Sequence, residues 1–316
     1  MVTVSSAVDN CYGRSYRIFN FSRLNLNNIP NTSQADPIPE TARLEIEELL
    51  LTGDLFRYTN EQSAVLNLER NFALKIGSSY ALAVSSCSAA LFLALKALNL
   101  GEKARVLIPA FTFGAVPSAV VHANCVPVLC ECGMDYRIDI DDFLCKLGTV
   151  DAVLISHMRG HTSDMDKILF HCDRLEIPVI EDAAHSLGTT WRSKHIGTFG
   201  QFGCFSFQSY KLLNSGEGGM LVTDDPDYFA KVVVMSGAYE HNWKKHQGEK
   251  EFFEKWQNLL PLFNMRLNNL SAAIVNAQLP YLNQRVENGR RNHDITAAKL
   301  SGSEWIHVPE KFEQEA

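Results

Sequence analysis

Seven short apolar runs, rich in β-branched and aromatic residues, recur between residues 80 and 223, most of them separated by a stretch long enough for a helix. They cover 80–84, 105–110, 126–131, 152–158, 178–184, 203–208 and 219–223. None alternates polar with apolar, as a strand with one wet face would. Such runs imply strands buried on both faces, so the spacing predicts an α/β fold: a mainly parallel seven-stranded sheet sandwiched by helices. The last two runs lie so close together that one antiparallel strand is expected among them.

The flanks read differently. Up to about residue 38 the chain is polar and irregular, and NLNNIPNTSQADPIP predicts a loop-like N-terminal arm over 1–38. A helix is expected over 39–51, with Pro39 near its start and Gly53 just past its end, and a second over 63–76. The sheet domain then occupies 39–235. Beyond Thr223 the strand signals fade, and Leu267, Leu270, Ile274 and Ala277 recur at helical spacing until Pro280 must kink or break the pattern.

Composition excludes several partners. With 46% hydrophobic and 21% charged residues in 316, the chain has material for a sizeable core. Its net charge of −7, with no Lys/Arg cluster, argues against nucleic acid and anionic membranes. The N-terminus lacks the basic and apolar regions of a leader, and the most apolar window, 81–98, is interrupted by Ser85, Ser86, Ser88 and Lys96, so a cytosolic protein is expected. The 8 cysteines are scattered and read as reduced core thiols. No metal site is expected, because Cys130-x-Cys132 has the wrong spacing for a zinc pair and His157-x-x-x-His161 lacks a third ligand.

In an open α/β sheet ligands bind at the carboxyl ends of the strands, so the polar residues that follow each run are the informative ones. After 80–84 come Ser85, Ser86, Cys87 and Ser88 and then a helix-forming stretch, an arrangement that suits a phosphate or simply a serine N-cap. After Ile180 come Glu181, Asp182, Ala183, Ala184 and His185: a carboxylate at a strand end with small residues beside it, or an N-cap. Phe113 could lie on a planar ligand or belong to the core. Lys211, just past 203–208, is by itself an ordinary surface charge.

Together these residues match what pyridoxal 5′-phosphate (PLP) requires. Its aldehyde needs a lysine amine, its pyridine nitrogen an acid, its ring a stacking face and its phosphate N–H and hydroxyl donors. The motifs AVSSCSAAL, IPAFTF, HMRGHTSDMD, IEDAAHSLGT, GTFGQFGCFSFQSYK, GEGGMLVTDD and NMRLNNLSAAIVNAQL, in this order, resemble the DegT/DnrJ/EryC1/StrS (sugar) aminotransferases, PLP enzymes of the type I aspartate aminotransferase fold. The resemblance runs from about residue 53 to 279.

Carried over residue by residue, it implies that Lys211 bonds to the cofactor and that Asp182 pairs with the pyridinium nitrogen. Phe113 would stack on the ring. Ser88, with the backbone at Cys87 and Ala89, would hold the phosphate, Ser206 would add a hydroxyl, and His185 would approach the phenolic oxygen. Asn264 matches an asparagine that reaches the phosphate from the neighbouring subunit, which implies a homodimer with shared sites. Arg57, Tyr58 and Arg266 are substrate candidates, the two arginines alternatively surface ion-pair formers. Cys87 and Ser88 stand where the family usually has glycine and threonine, so Cys87 is expected to crowd the phosphate loop; His161 replaces the commoner glutamine. Family members continue into a small C-terminal domain, of which 236–316 would supply a dimer-contact segment and the start, leaving that domain incomplete or minimal.

The implied activity is transfer of an amino group from an amino acid, glutamate by resemblance, to a keto sugar, most readily a nucleotide-linked keto-deoxysugar, with the cofactor cycling through pyridoxamine 5′-phosphate. Lys211 argues against a sugar 3-dehydratase, which resembles this chain with histidine at that position. Two alternatives stay open: a transaminase of a non-sugar ketone and a non-catalytic PLP-binding relative. A serine hydrolase built on Ser206 or Ser209 is weaker, since no G-x-S-x-G elbow accompanies them.

Overall fold

The computed structural model describes residues 4–9, 15–19 and 36–311. The chain forms two compact units, Met1–Gln34 and Ala35–Ala316. In the first, β1 (Val4–Asp9) and β2 (Ser15–Phe19) pair antiparallel. This corrects the expected irregular arm at those positions; the remainder of that arm up to residue 35 lies outside the described residues.

The second unit opens with α1 (Thr41–Thr52) and α2 (Ala64–Ile76). Both end where a glycine takes up the left-handed conformation, Gly53 at φ 71° and Gly77 at φ 75°, which the Cβ of most other residues disfavours. Then come β3 (Tyr80–Val84), α3 (Cys87–Ala97), β4 (Arg105–Pro109), α4 (Ala115–His122), β5 (Val126–Cys130), α5 (Ile140–Leu147), β6 (Ala152–Ser156), α6 (Met165–Arg174) and β7 (Val179–Asp182). A two-residue-per-strand hairpin, β8 (Thr190–Trp191) and β9 (Lys194–His195), precedes β10 (Phe202–Ser206) and β11 (Gly219–Thr223). The C-terminal part is helical: α7 (Pro226–Gly237), α8 (Lys250–Trp256), α9 (Asn269–Gln278) and α10 (Leu282–Leu300), with a 3₁₀ turn at Leu279–Tyr281 where Pro280 interrupts the α-helical pattern.

The seven expected runs form one sheet in the order β3-β11-β10-β7-β6-β4-β5. All pairings are parallel except those of β11, which runs antiparallel to both β10 and β3. Successive side chains alternate between two apolar layers. Ala81, Ala83, Val153 and Ile155 pack with α2, α5, α6 and α9, whereas Leu82, Val84, Ala152 and Leu154 pack with α3, α4 and α7. This two-sided burial is why the strands read as unbroken apolar runs. No helix among the described residues is long and apolar enough to cross a membrane.

Of the cysteines, Cys125, Cys130, Cys172 and Cys204 are buried and all seven described are free; Cys145 is exposed, contrary to the expected core placement.

Candidate active site

The carboxyl ends of β3, β4, β6, β7 and β10 share one edge of the sheet, and because β11 runs the other way its first residue, Gly219, lies at that edge too. A cleft of about 410 Å³ opens there, with Ser86, Cys87, Ser88, Phe113, Asp182, His185, Ser206, Lys211 and Glu217 in its wall. A cavity of this size is of the small-molecule class.

The β3–α3 corner is shaped by capping and by close packing. Ser86 is the N-cap of α3, its Oγ accepting the Ala89 N–H at 3.1 Å. Ser86 thus acts as the cap, while Ser88 is exposed at the cleft in the first turn of the helix. Ala89 is a different matter, since its N–H is already engaged. Gly219 lies against this corner so closely that a Cβ would stand 2.4 Å from Ser86 C and 2.6 Å from Cys87 N. Cys87 stands in the wall of the cleft; its thiol donates to Asp182 Oδ1 at 3.8 Å, and burial followed by the Asp182 charge raises its pKa well above the ordinary thiol value.

Asp182, the last residue of β7, is buried and held from both sides. Ser156 Oγ donates to its Oδ2 at 3.0 Å and the Ala184 N–H to its Oδ1 at 3.1 Å. With the Ser156 proton committed to the carboxylate, Thr112 Oγ1 must be the donor in its 2.7 Å contact with Ser156 Oγ. A chain of hydroxyls thus runs from the β4 end through the β6 end to the acid. The adjacent Glu181 points to the opposite face, where its carboxylate accepts the N–H groups of Gly197, Phe199 and Gly200 at 2.6 to 2.8 Å and closes the turn before β10.

Lys211 follows β10, its backbone N–H donating to Gln208 O at 2.9 Å. Its ammonium has no hydrogen-bond or ion-pair partner among the described residues. Burial lowers its pKa, Asp182 and Cys87 oppose that shift, and Arg159 adds to it. His185 Nδ1 accepts the Arg159 backbone N–H at 3.4 Å. Its pKa is pushed down to about 4 by burial and by Lys211, so the ring is neutral near pH 7 and carries its proton on Nε2. Phe113, 66% exposed, presents a free ring face at the cleft, and Ser206 Oγ is placed at the end of β10.

The other sequence candidates lie elsewhere. Arg57 is fully buried, its guanidinium 2.7 Å from Glu69 and 3.2 Å from Ala83 O, and the Tyr58 hydroxyl contacts His246 Nε2 at 2.8 Å. Arg57 is committed to Glu69, because an ion pair taken out of water needs both partners to itself, and Tyr58 is buried with its hydroxyl engaged. Arg266 donates to Gly237 O at 2.9 Å and lies over Phe56 and Tyr239, and neither it nor the exposed Asn264 lines the cleft. Met265 O, between them, accepts the Ser85 N–H, so this segment runs along β3. The reading of strand ends overlooked Ser156 and Thr112 behind Asp182, and Arg159 beside His185. Ser156 was accessible to it, being the polar residue that closes β6.

Comparison with known proteins bears on the family and the fold. The sequence profile of the DegT/DnrJ/EryC1/StrS aminotransferase family matches residues 40–315. The spore coat polysaccharide biosynthesis protein SpsC of Bacillus subtilis (strain 168) is 32% identical over 243 residues, 75% of this chain and 61% of that protein. GDP-perosamine synthase of Escherichia coli O157:H7 is 28% identical over 273 residues, 83% of this chain and 72% of that one. Among solved structures, E. coli GDP-4-keto-6-deoxy-D-mannose-3-dehydratase with bound hydrated PLP superposes with a TM-score of 0.78 at 23% identity, covering 89% of this chain and 75% of that chain, a likeness of fold. The chain thus spans about three fifths of the length of SpsC.

Proposed function

Because this chain belongs to the DegT/DnrJ/EryC1/StrS aminotransferase family, we propose that it is a PLP-dependent aminotransferase acting from an amino acid donor, glutamate by resemblance, onto a nucleotide-linked keto-deoxysugar. One observation carries the reading: an unpartnered, half-buried Lys211 of lowered pKa shares a cleft with the buried carboxylate of Asp182. The similarity to a GDP-perosamine synthase over 83% of the chain supports the sugar acceptor.

The residues present fit the cofactor. Ser88 and Ser206 offer hydroxyls, and the first turn of α3 offers N–H groups and the positive end of a helix, for a phosphate. Phe113 offers a face to the ring. PLP, when bound, supplies an electron sink for the charge that develops on a deprotonated substrate carbon.

The chain's own part follows from its groups. Asp182, kept in place by Ser156 and Ala184, presents a carboxylate that would keep the cofactor's ring nitrogen protonated. Lys211, its pKa lowered by burial, gives up its proton more readily than an exposed lysine, which suits it both to bond to a carbonyl carbon and to carry a proton between two carbons of a bound substrate. With Nδ1 occupied as an acceptor, His185 would have Nε2–H to offer to the phenolic oxygen of the cofactor. In the net reaction the donor leaves as its 2-oxo acid and the ketone becomes an amine, with no external oxidant. A homodimer whose sites are completed by Asn264 of the partner, and a cytosolic setting, belong to the same reading; the segment 236–316 would supply the dimer contact.

The test is spectroscopic. Purified protein given PLP should absorb in the near-visible, borohydride should fix the cofactor's mass on Lys211, and glutamate should convert the spectrum to that of the pyridoxamine form. A colourless protein that takes up no PLP would sink the proposal, and a coloured one unresponsive to any amino donor would favour a non-catalytic binder.

A further inference from the structure

The turn after β6 holds a residue that the proposed chemistry leaves unused. Arg159 adopts φ 58° and ψ 20°, a left-handed conformation that residues bearing a Cβ rarely take up and that recurs at functional sites. This conformation lets its backbone N–H meet His185 Nδ1 while the side chain stays exposed. The guanidinium has no hydrogen-bond or ion-pair partner among the described residues.

It also lines a second, smaller cavity of about 200 Å³, together with Tyr210, Leu187 and Leu212. His185, Ser206 and Lys211 belong to the walls of both cavities, so a molecule reacting at the Lys211 nitrogen can extend into either. No aspartate or glutamate lines the smaller one. A small compartment with a permanent, unpaired, planar cation and no acid selects a carboxylate, which the guanidinium fork grips with two parallel hydrogen bonds.

Resting on the aminotransferase reading of this site, we infer that Arg159 holds the carboxylate of the amino donor. An α-amino acid carries its carboxylate one carbon from the nitrogen that must reach Lys211, and it is small enough for the cavity. A nucleotide diphosphate is the other anion that an aminotransferase of this kind would meet, but it is larger and needs more than one cation.

The experiment uses PLP-loaded wild type, Arg159→Gly and Arg159→Lys. Glycine tolerates the left-handed backbone, so the first variant removes the charge without adding strain. Maleate, a dicarboxylate with no amine, is titrated against each while the cofactor absorbance is followed, with uridine diphosphate titrated in parallel. All three proteins should be equally coloured. The maleate Kd should rise at least about tenfold in Arg159→Gly and less in Arg159→Lys, with the diphosphate affinity unchanged. Maleate affinities within twofold of one another, no maleate binding to coloured wild type, or loss of diphosphate binding in place of maleate binding would overturn the inference. A wild type that takes up no PLP would instead remove the reading on which it rests.

Discussion

Burial and the neighbouring Lys211 charge hold the pKa of His185 at about 4, against 6.5 in water, and the sign of the consequence is definite. Between those two values the unfolded chain binds a proton that the folded chain refuses, so stability falls as pH drops from about 6.5 toward 4. Replacing His185 with glutamine should flatten that limb of the stability curve, measurable as urea midpoints at pH 7, 6 and 5. Asp182→Asn keeps an oxygen to accept from Ser156 but removes the charge. It should weaken PLP retention by about 10- to 100-fold, the scale of a hydrogen bond to a charged group, as read by equilibrium dialysis, with little change in thermal midpoint of the apoprotein. At this scale the sequence was informative where a residue follows directly on an apolar run, as Asp182 and Lys211 do. It misled at Arg57 and Tyr58, because whether an arginine meets a substrate or a buried acid depends on Glu69 and His246, which only folding brings alongside.

Among the elements, the pairing of an antiparallel strand with a helix N-terminus does the most to shape the site. The reversal of β11 delivers Gly219 to the same edge as Ser86 and Cys87, and only a residue without a Cβ fits between them. Gly219→Ala should therefore push the first turn of α3 outward and weaken affinity for PLP and for inorganic phosphate together. Phosphate inhibition of PLP uptake is the direct measurement; unchanged uptake would show that this corner holds no phosphate. The strands themselves were legible because most are buried on both faces, which leaves short apolar runs with polar residues mainly at their ends, although the edge strand β5 is partly exposed. The pair β8–β9 was not, since two residues per strand carry no period to read.

For the molecule as a whole, the described residues leave large apolar side chains in water on α1 and α2, among them Leu51 at 82% and Leu74 at 83% exposure. Asn264 is exposed and outside the lining of its own cleft, and the proposed homodimer is the assembly to test. Sedimentation should give about twice the mass of one chain, and a monomer that still binds PLP with full affinity would contradict shared sites. What the sequence determined by itself was the sheet, its layers and the set of residues at strand ends, because burial on both faces and the end of an apolar run are local properties written in consecutive residues. What only the tertiary structure decided was which of those residues face one another: Lys211 with Asp182, Arg159 with His185, Gly219 with Cys87. Those encounters depend on strand order and direction, which the chain settles only when distant segments pack against each other.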